Sequence, residues 1–245
     1  MNPYESPRLL AEYLLLHYGS ADDVLDGRPG PADAVGFPVR LVRELLALPA
    51  GGRALDLGCA VGASSFELSR HFEHVLGIDF SRTFVEAATR LRDEGRHPFE
   101  KVIEGTIREP AIARVPADID LSRTRFQQGD AENLPPDLAD LDLVLAANLL
   151  CRLSNPRRLL DRLPSLVKPG GQLLLTTPFT WLEEFTPREN WIGATPESGH
   201  SIDALKQLLE PAFELEHATD LPFLIREHSR KFQYGIACGT RWRRK

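Results

Sequence analysis

The segment RALDLGCAVG, residues 53–62, constrains the fold of this 245-residue chain more than any other stretch. A short apolar run carries Asp56 and ends in a loop with Gly58 and Gly62 four residues apart, and a helix-like segment, Ala63 to Glu73, follows at once. Gly58 permits a tight turn, Gly62 allows the backbone to approach a ligand or a helix closely, and the helix start offers free N–H groups. A strand, a glycine-bearing turn and a helix start in this order predict a nucleotide-cofactor site in an α/β protein.

The spacing of the loop distinguishes two kinds of cofactor. A dinucleotide fingerprint, G-x-G-x-x-G counted from Gly58, would place its next glycines at Ala60 and Ala63, where methyl groups oppose a pyrophosphate. The D-x-G-x-G-x-G loop of S-adenosylmethionine enzymes is matched by Asp56, Gly58 and Gly62, with Ala60 in place of the middle glycine. That ligand has an amino-acid tail and no phosphate, so one extra methyl is easier to accommodate. On these residues alone, a glycine turn of any α/β protein remains the alternative.

Two further strand ends favour S-adenosylmethionine. The run from His74 to Asp79 reads as a strand that ends in an acid, and a carboxylate there can accept both hydroxyls of a ribose. Asp79 could instead cap the helix that starts near Ser81. A third strand, Arg125 to Ala131, ends in Gly-Asp-Ala, which suits an adenine amino group and ring nitrogen. The sequence therefore predicts that S-adenosylmethionine, and its product S-adenosylhomocysteine, bind to Asp56, Gly58, Cys59, Ala60, Gly62, Asp79, Phe80, Asp130, Ala131 and Asn148.

Hydrophobic periodicity predicts the remaining architecture. We expect one α/β domain over residues 1–245 with the Rossmann-like class I methyltransferase fold: a seven-stranded doubly wound sheet, one antiparallel strand, helices on both faces and an N-terminal cap helix. Residues 1–50 form the cap and lead-in helices, and residues 95–124 form an inserted hairpin plus a turn. The predicted helices are 7–18, 38–48, 63–73, 81–94, 155–167 and 201–210; besides the motif strand, the predicted strands are 74–79, 125–131, 141–148, 172–177, 213–221 and 231–243.

Composition and charge argue against several classes of function. A net charge of −6 and a pI near 5.7 disfavour a large nucleic-acid surface. No stretch approaches the roughly 20 apolar residues of a membrane span, and residues 1–5 lack a basic-then-apolar signal pattern. Cys59, Cys151 and Cys238 have no metal-ligand spacing. We therefore expect a cytoplasmic protein that acts on a small molecule, with no nucleic-acid or membrane partner and no metal.

Two segments are unusually rich in functional side chains. Residues 176–191 follow the fifth predicted strand of the main sheet, and residues 223–231 bridge the last two strands. Both lie where the substrate-covering loops of such folds lie, so the sequence predicts that they contact the substrate. Aromatic walls with a few acids and bases suit a small, zwitterionic, ring-bearing substrate.

Several stretches of the chain resemble one family. These are NPYESPRLLAEYLLLHYG, RALDLGCAVGASSFELSRHF, GDAENLP, DLVLAANLLCRL, LPSLVKPGGQLLLTTPFTWLEEFTPRENWIG and LPFLIREHSRKFQ. They resemble the 4-mercaptohistidine N1-methyltransferase family, the module at the C-terminal end of many ovothiol synthases. The resemblance implies methyl transfer from S-adenosylmethionine to an imidazole nitrogen of 5-thiohistidine, giving ovothiol A. Because Met1 directly precedes the first stretch, we expect a free-standing version that pairs functionally with a sulfoxide synthase and a C–S lyase.

Location in the predicted fold gives candidate residues for this chemistry. A sulfonium methyl is already activated, so alignment of the reacting atoms matters more than a strong base. The expected catalytic residues are Asn148, Tyr4 and Glu184. The expected substrate-binding residues are Tyr4, Cys151, Arg152, Phe179, Trp181, Arg188, Arg226 and Lys231. Structural ion pairing, such as Glu184 with Arg188, is the rival interpretation for the charged residues. Two functional alternatives stay open: a methyltransferase for another small nitrogen, oxygen or sulfur nucleophile, and a non-catalytic S-adenosylmethionine-binding partner of a sulfoxide synthase.

Overall fold

The computed structural model describes residues 3–245, so Met1 and Asn2 of the predicted cap segment lie outside it. The strands are β1 Arg53–Leu57, β2 His74–Asp79, β3 Arg96–Glu104, β4 Ile107–Arg114, β5 Thr124–Gln128, β6 Leu141–Ala147, β7 Val167–Thr177, β8 Phe213–His228 and β9 Lys231–Arg244. The α-helices are α1 Pro7–Tyr18, α2 Ala21–Leu25, α3 Phe37–Leu45, α4 Ala63–Leu68, α5 Arg82–Glu94, α6 Pro156–Leu166 and α7 Ser201–Leu209.

Seven strands form the main sheet in the order β5-β2-β1-β6-β7-β9-β8. Neighbours pair in parallel from β5 to β7, and β9 pairs antiparallel with both β7 and β8. The predicted seven-stranded sheet with one reversed strand is therefore confirmed. The strand order changes direction between β1 and β6, and open α/β sheets bind ligands in the crevice at this point, beyond the carboxyl ends of the strands.

Apolar residues on alternate positions of the central strands bury both faces of the sheet. Leu55 of β1 and Val144 of β6 face a core that includes Leu159 and Leu163 of α6. Their chain neighbours on the same strands face a second core that includes Leu41 of α3. Helices on both faces explain why these strands read as nearly continuous hydrophobic runs. Within residues 3–245, no helix is long and apolar enough to cross a lipid bilayer.

Helix α1 begins and ends as its sequence predicts. The Ser6 hydroxyl accepts a hydrogen bond from the N–H of Leu9 at 3.2 Å, and Pro7 occupies the first turn, where no donor is lost. The helix buries Leu14, Leu15 and His17 and packs on β8 and on the hairpin β3–β4. The predicted hairpin is thus present, and it supports the helix that covers the sheet edge.

Three segments differ most from their predicted structure. Helix α4 ends at Leu68 rather than at Glu73. Strand β8 continues through His228, so residues 223–228 are not the predicted substrate-covering loop. No proline or glycine interrupts β8 after Pro222, and its residues pair with β9 as far as His228. Strand β7 starts at Val167 rather than at the predicted Gln172, because residues 169–171, Pro-Gly-Gly, form an irregularity within the strand, with Gly170 at φ +77°.

Candidate functional site

A cavity of about 580 Å³ lies at the carboxyl ends of β1, β2, β5 and β6. The N-terminal segment, α1, α3 and β8 cover it from the other side. It is the crevice expected at the topological switch point of the sheet. Of the residues predicted from the sequence, the following line it: Tyr4, Gly58, Ala60, Asp79, Phe80, Asp130, Ala131, Asn148, Arg152 and Glu184.

The glycine loop after β1 adopts left-handed backbone conformations. Gly58, Ala60 and Gly62 have φ values of +71°, +46° and +90°. A Cβ at Gly58 would lie only 3.1 Å from Cδ1 of Leu149, so glycine suits this point of the cavity wall. Ala60 is held in its conformation by its N–H, which donates to Oδ2 of Asp79 at 2.8 Å. The loop therefore presents main chain, rather than long side chains, to the cavity.

Asp79 is oriented by the backbone on both sides. Its Oδ2 accepts from the N–H of Ala60, and its Oδ1 accepts from the N–H of Ser81, each at 2.8 Å. Burial raises the pKa of this carboxyl to about 6, although the main-chain donors oppose the shift. Both oxygens keep lone pairs for further donors, so the carboxylate can accept two neighbouring hydroxyl groups.

Asp56 does not reach the cavity. Its side chain is fully buried, and its Oδ2 accepts from the hydroxyls of Ser64 and Ser65 at 2.7 and 2.6 Å. Burial raises its pKa to about 6. Of these three residues only Ser64 lines the cavity, so Asp56 positions the start of α4 and contacts a ligand only through Ser64. The expectation that three strand-end carboxylates jointly hold the cofactor thus needs correction, because Asp56 points into the protein.

The cavity wall fits an S-adenosyl cofactor. Asp79 offers two oriented acceptor oxygens for a ribose diol, and Gly129, Asp130 and Ala131 line the cavity at the end of the neighbouring strand β5. Gly58 and Ala60 line the cavity, where they present main chain to the amino-acid tail. Among residues 3–245, no group of three or more His, Cys, Asp or Glu side chains is arranged to hold a metal ion.

We expect the affinity for S-adenosylhomocysteine to fall as the pH drops below about 6, because the pKa of Asp79 is raised to about 6 in the free protein. Ribose hydroxyls donate to the carboxylate, so binding favours the charged form and lowers this pKa. Affinity is therefore full above that pH and declines by up to about tenfold per pH unit below it. Calorimetric titrations with S-adenosylhomocysteine at a series of pH values above and below 6 measure how steeply the affinity changes with pH.

Asp79→Asn is the control for this pH dependence. It removes the titrating group and keeps Asp56, whose pKa is also raised to about 6. An unchanged slope in the variant would assign the pH dependence to a group other than Asp79.

The N-terminal segment is fastened to the first turn of α5. The carboxylate of Glu5 accepts from the N–H of Arg82 at 2.9 Å and from the N–H and hydroxyl of Thr83 at 3.2 and 2.6 Å. The hydroxyl of Ser81 donates to the carbonyl of Tyr4 at 3.0 Å. These bonds satisfy donors at a helix start, where a negative charge is favourable. They hold the ring of Tyr4 against the cavity.

Glu5→Gln should loosen this fastening. Loss of the negative charge at the helix start is expected to destabilise the protein by about 1 kcal/mol and to speed release of S-adenosylhomocysteine. Thermal unfolding and stopped-flow dissociation measure the two effects. Glu86→Gln is the matched control, since it removes an exposed carboxylate that pairs with Arg82 on the same helix. Equal effects of both substitutions would show that Glu5 does not hold the segment in place.

Arg152 and Glu184 bring opposite charges to the cavity without ion-pair partners among residues 3–245. Arg152 donates to the carbonyls of Cys151 and Thr180 at 3.0 and 3.2 Å, and its guanidinium lies 4.8 Å from the ring centre of Phe185. The rival interpretation, an ion pair between Glu184 and another side chain of its own loop, is not realised. Both charges are therefore available to a ligand.

Asn148 lies where β6 ends, with a left-handed φ of +51°. Its N–H donates to the carbonyl of Thr176 at 2.8 Å, and its Oδ1 accepts from the Thr176 hydroxyl at 2.9 Å. Because Oδ1 is engaged, the group that Asn148 offers to the cavity is the amide nitrogen, which is a donor.

The remaining predicted residues do not line the cavity. Arg226 is buried on the other face of β8 and donates to the carbonyls of Asp23 and Val24 at 2.9 and 3.1 Å. Lys231 pairs with Glu227 at 2.9 Å, and Arg188 stacks on Trp191 at 5.8 Å. The others are packed into the protein around the cavity: Cys59, Gly62, Cys151, Phe179 and Trp181.

Sequence reasoning missed several residues of the wall. Tyr13 and His17 lie on the apolar face of α1 and line the cavity, although their helical spacing indicates only an amphipathic helix. Tyr13 is hydrogen-bonded to Tyr4, which is also bonded to Arg152. A tyrosine and a histidine four residues apart in an apolar stripe were the available signal, since both carry polar groups that need partners. Other unpredicted lining residues include Leu16, Phe37, Leu41, Ser64, Phe84 and Glu132. Phe185, Phe223 and Ile225 also line the cavity, and they belong to the two segments predicted to contact the substrate.

Comparison with known proteins decides the family. A family model described as a methyltransferase domain matches residues 34–217, which is most of the chain. The chain belongs to the methyltransferase-domain family. The ubiquinone biosynthesis O-methyltransferase of Coxiella burnetii is 26% identical over 142 residues, covering 57% of this chain and 50% of that protein. The demethylmenaquinone methyltransferase of Clavibacter sepedonicus is 30% identical over 126 residues, covering 51% of this chain and 41% of that protein.

This methyltransferase domain spans about half the length of those curated relatives. Solved structures share its fold. The N-methyltransferase NodS from Bradyrhizobium japonicum WM9 in complex with S-adenosylhomocysteine matches with a TM-score of 0.55 at 16% identity, covering 96% of this chain and 98% of that one. The [4+2]-cyclase SpnF matches with a TM-score of 0.58 at 20% identity, covering 96% and 92%.

The family model confirms the predicted class, a methyltransferase, and the solved structures confirm the predicted fold. The same fold carries proteins titled as an N-methyltransferase and as a cyclase, so fold alone does not specify the reaction. The acceptor of the methyl group must be argued from the chemistry of the cavity.

Proposed function

We propose that this methyltransferase domain transfers a methyl group from S-adenosylmethionine to an imidazole nitrogen of 5-thiohistidine, giving ovothiol A. The observation that carries the proposal is the pair of opposite charges, Arg152 and Glu184, on the wall of one cavity, neither with an oppositely charged partner among residues 3–245. A zwitterionic amino acid is the small molecule that complements both.

The contacts of Arg152 favour a carboxylate. The guanidinium is partly buried, and its contacts are neutral: the two carbonyls, the Phe185 ring, a weak approach to the Cys151 thiol at 3.5 Å, and the bond with Tyr4. A guanidinium has more N–H groups than these contacts use, and a carboxylate binds such a group in a paired geometry. Glu184 is exposed at the rim, where its carboxylate can accept from an ammonium group.

The aromatic part of the wall suits the ring of the substrate. Tyr4 lies between Tyr13, Phe84 and Phe185, with ring centres 5.9, 5.8 and 6.4 Å away. S-adenosylmethionine, when bound, supplies an already activated methyl group. The chain must therefore hold the acceptor nitrogen in line and keep water out, and Tyr4 and Asn148 are placed to do this. The amide nitrogen of Asn148 can donate to the sulfur or to the unmethylated ring nitrogen.

Transfer to a phenolic oxygen is the second candidate. The apolar end of the cavity, Leu16, Leu41, Phe223 and Ile225, favours an apolar ring, and curated relatives bear the name of O-methyltransferases. A phenol near neutral pH must lose its proton to attack. The histidine of the described cavity wall, His17, is poorly suited to take it, since burial lowers its pKa to about 3 and its Nδ1 is engaged. An imidazole nitrogen carries its lone pair without such help.

Initial rates with 5-thiohistidine, histidine and catechol test the acceptor. We expect turnover of 5-thiohistidine well above that of histidine, since the sulfur makes the ring more electron-rich, and no turnover of catechol. Methylation of catechol in preference to the thioimidazole would establish the second candidate. Binding of cofactor without turnover of any thioimidazole would favour a non-catalytic role.

The proposal also places the chain in a reaction sequence. An enzyme that attaches sulfur to the histidine ring must supply the substrate, so functional pairing with a sulfoxide synthase and a C–S lyase forms part of it. The cytoplasmic location stays a prediction from the sequence.

A further inference from the structure

His17 joins the glycine loop to the cavity. It projects from the buried face of α1, is 8% exposed, and lines the cavity beside Ser64. Its Nδ1 accepts from the N–H of Ala63, the residue after Gly62 at the start of α4, at 3.3 Å. Two residues of α1 thus contact this loop, since the hydroxyl of Tyr18 donates to the carbonyl of Val61 at 2.7 Å.

The bond from Ala63 fixes the chemical form of the ring. A nitrogen that accepts carries no proton, so the neutral imidazole must carry its proton on Nε2. Burial lowers the pKa of His17 to about 3, which keeps the ring neutral at physiological pH. Among residues 3–245, Nε2 has no hydrogen-bond partner. His17 therefore offers the cavity one N–H donor in a fixed position.

The Nε2–H donor of His17 needs a hydrogen-bond acceptor, so the ligand group that contacts it must be an acceptor. On an adenosyl cofactor, the ribose hydroxyls are assigned to Asp79 and the adenine to Gly129–Ala131. The ammonium of the tail is itself a donor and cannot satisfy Nε2–H. Of the acceptors that remain, the ribose ring oxygen is neutral and weak, and the carboxylate of the tail is the charged one that best matches an N–H donor. His17 lies on the side of Ser64 and the glycine loop, where the tail must run once the ribose is held at Asp79.

We infer that Nε2–H of His17 donates to the α-carboxylate of the amino-acid tail of S-adenosylmethionine and its product. This rests on the proposed function only as far as the cofactor and is independent of the methyl acceptor. His17 is then a cofactor-binding residue that couples α1 to the occupied site. Arg152, in the segment between β6 and α6, is left for the carboxylate of the substrate.

Two substitutions separate this role from support of the fold. His17→Asn keeps an acceptor close to the position of Nδ1, and hence the bond from Ala63, but its amide does not reach the position of Nε2. His17→Gln places an amide nitrogen near the position of Nε2 and should restore part of the lost affinity. Thermal unfolding of the ligand-free proteins verifies that each variant is folded.

Calorimetry with two ligands tests the assignment. S-adenosylhomocysteine has the tail, whereas 5′-methylthioadenosine has the same nucleoside and lacks the carboxylate and ammonium. We expect His17→Asn to weaken the binding of S-adenosylhomocysteine about tenfold or more and to leave the affinity for 5′-methylthioadenosine unchanged. The reason is that a hydrogen bond to a charged group is lost only for the first ligand. The affinity of His17→Gln for S-adenosylhomocysteine should lie between that of the wild type and that of the asparagine variant.

Three results would overturn the inference. If His17→Asn weakened the binding of both ligands equally, the role of His17 would be structural. If it weakened the binding of neither ligand, the tail of the cofactor would be held by other residues. A higher KM for 5-thiohistidine with unchanged affinity for S-adenosylhomocysteine would place the donor at the substrate. Failure of the proposed acceptor is separate, since it would appear as cofactor binding by wild type with no turnover of 5-thiohistidine.

Discussion

Replacement of Asp79 by alanine is expected to weaken binding of S-adenosylhomocysteine by on the order of 2–4 kcal/mol, because two hydrogen bonds from ribose hydroxyls to a carboxylate are lost. The carboxylate is oriented for this task by the N–H groups of Ala60 and Ser81. Water can take the place of those main-chain contacts in the variant, so the domain should remain folded. Calorimetric titration measures the affinity, and thermal unfolding without ligand verifies the fold.

Asp79→Asn gives the matched comparison for the alanine variant. The amide keeps one acceptor oxygen and the shape of the side chain, so its affinity should be intermediate. An alanine variant that binds S-adenosylhomocysteine as tightly as wild type would show that the ribose is not held at the end of β2.

The second large effect is expected from Arg152→Met. Methionine keeps the apolar stem against Phe185 and removes the guanidinium. Loss of a paired contact with a carboxylate should raise the KM for 5-thiohistidine about 10- to 100-fold. Affinity for S-adenosylhomocysteine should change little, because the tail carboxylate is assigned to His17. Steady-state kinetics at saturating S-adenosylmethionine measure the change in KM.

Arg188→Met is the control for the arginine substitution. Arg188 also carries a guanidinium over an aromatic ring, that of Trp191, but it does not line the cavity. The same rise in KM for both variants would mean that neither arginine binds the substrate directly. Loss of cofactor affinity in Arg152→Met alone would assign this side chain to the tail of the cofactor.

The framework of the site could be predicted because it depends on the main chain. The glycine loop, the acid at the end of β2 and the Gly-Asp-Ala sequence after β5 follow strands whose carboxyl ends meet at one edge of the sheet. Their local sequences dictate the turns, so Gly58, Asp79 and Asp130 reach the cavity as expected. Helix α1 was predicted with its observed bounds from its apolar spacing, and the Ser6 cap and Pro7 seen in the structure agree with that start.

The direction of side chains along a strand explains why some residues predicted at the site do not line the cavity. Consecutive residues of a strand point to opposite faces, so whether Arg226 enters the cavity depended on recognising β8 through His228. Phe223 and Ile225 line the cavity, and Arg226 lies on the other face beside α2. The dense polar composition of this segment resembled a loop, whereas its pairing with β9 is a tertiary property.

Aromatic residues were misassigned for a related reason. Trp181 was expected at the substrate, but it is buried against Trp191, and its indole N–H donates to the hydroxyl of Ser201 at 2.9 Å. Tyr13 and His17 were not predicted at the site but face the cavity. Burial of an aromatic side chain in a core and against a ligand produces the same sequence pattern, because both remove apolar surface from water.

Transfer of an isotope-labelled methyl group gives the most direct test of the proposed chemistry. Wild-type protein is incubated with S-adenosylmethionine carrying a ¹³C methyl group and with 5-thiohistidine, and the product is followed by NMR and mass spectrometry. The account predicts one labelled methyl group bonded to a ring nitrogen, with the thiol left free. A label on sulfur, or an unlabelled thiohistidine in the presence of bound cofactor, would contradict it.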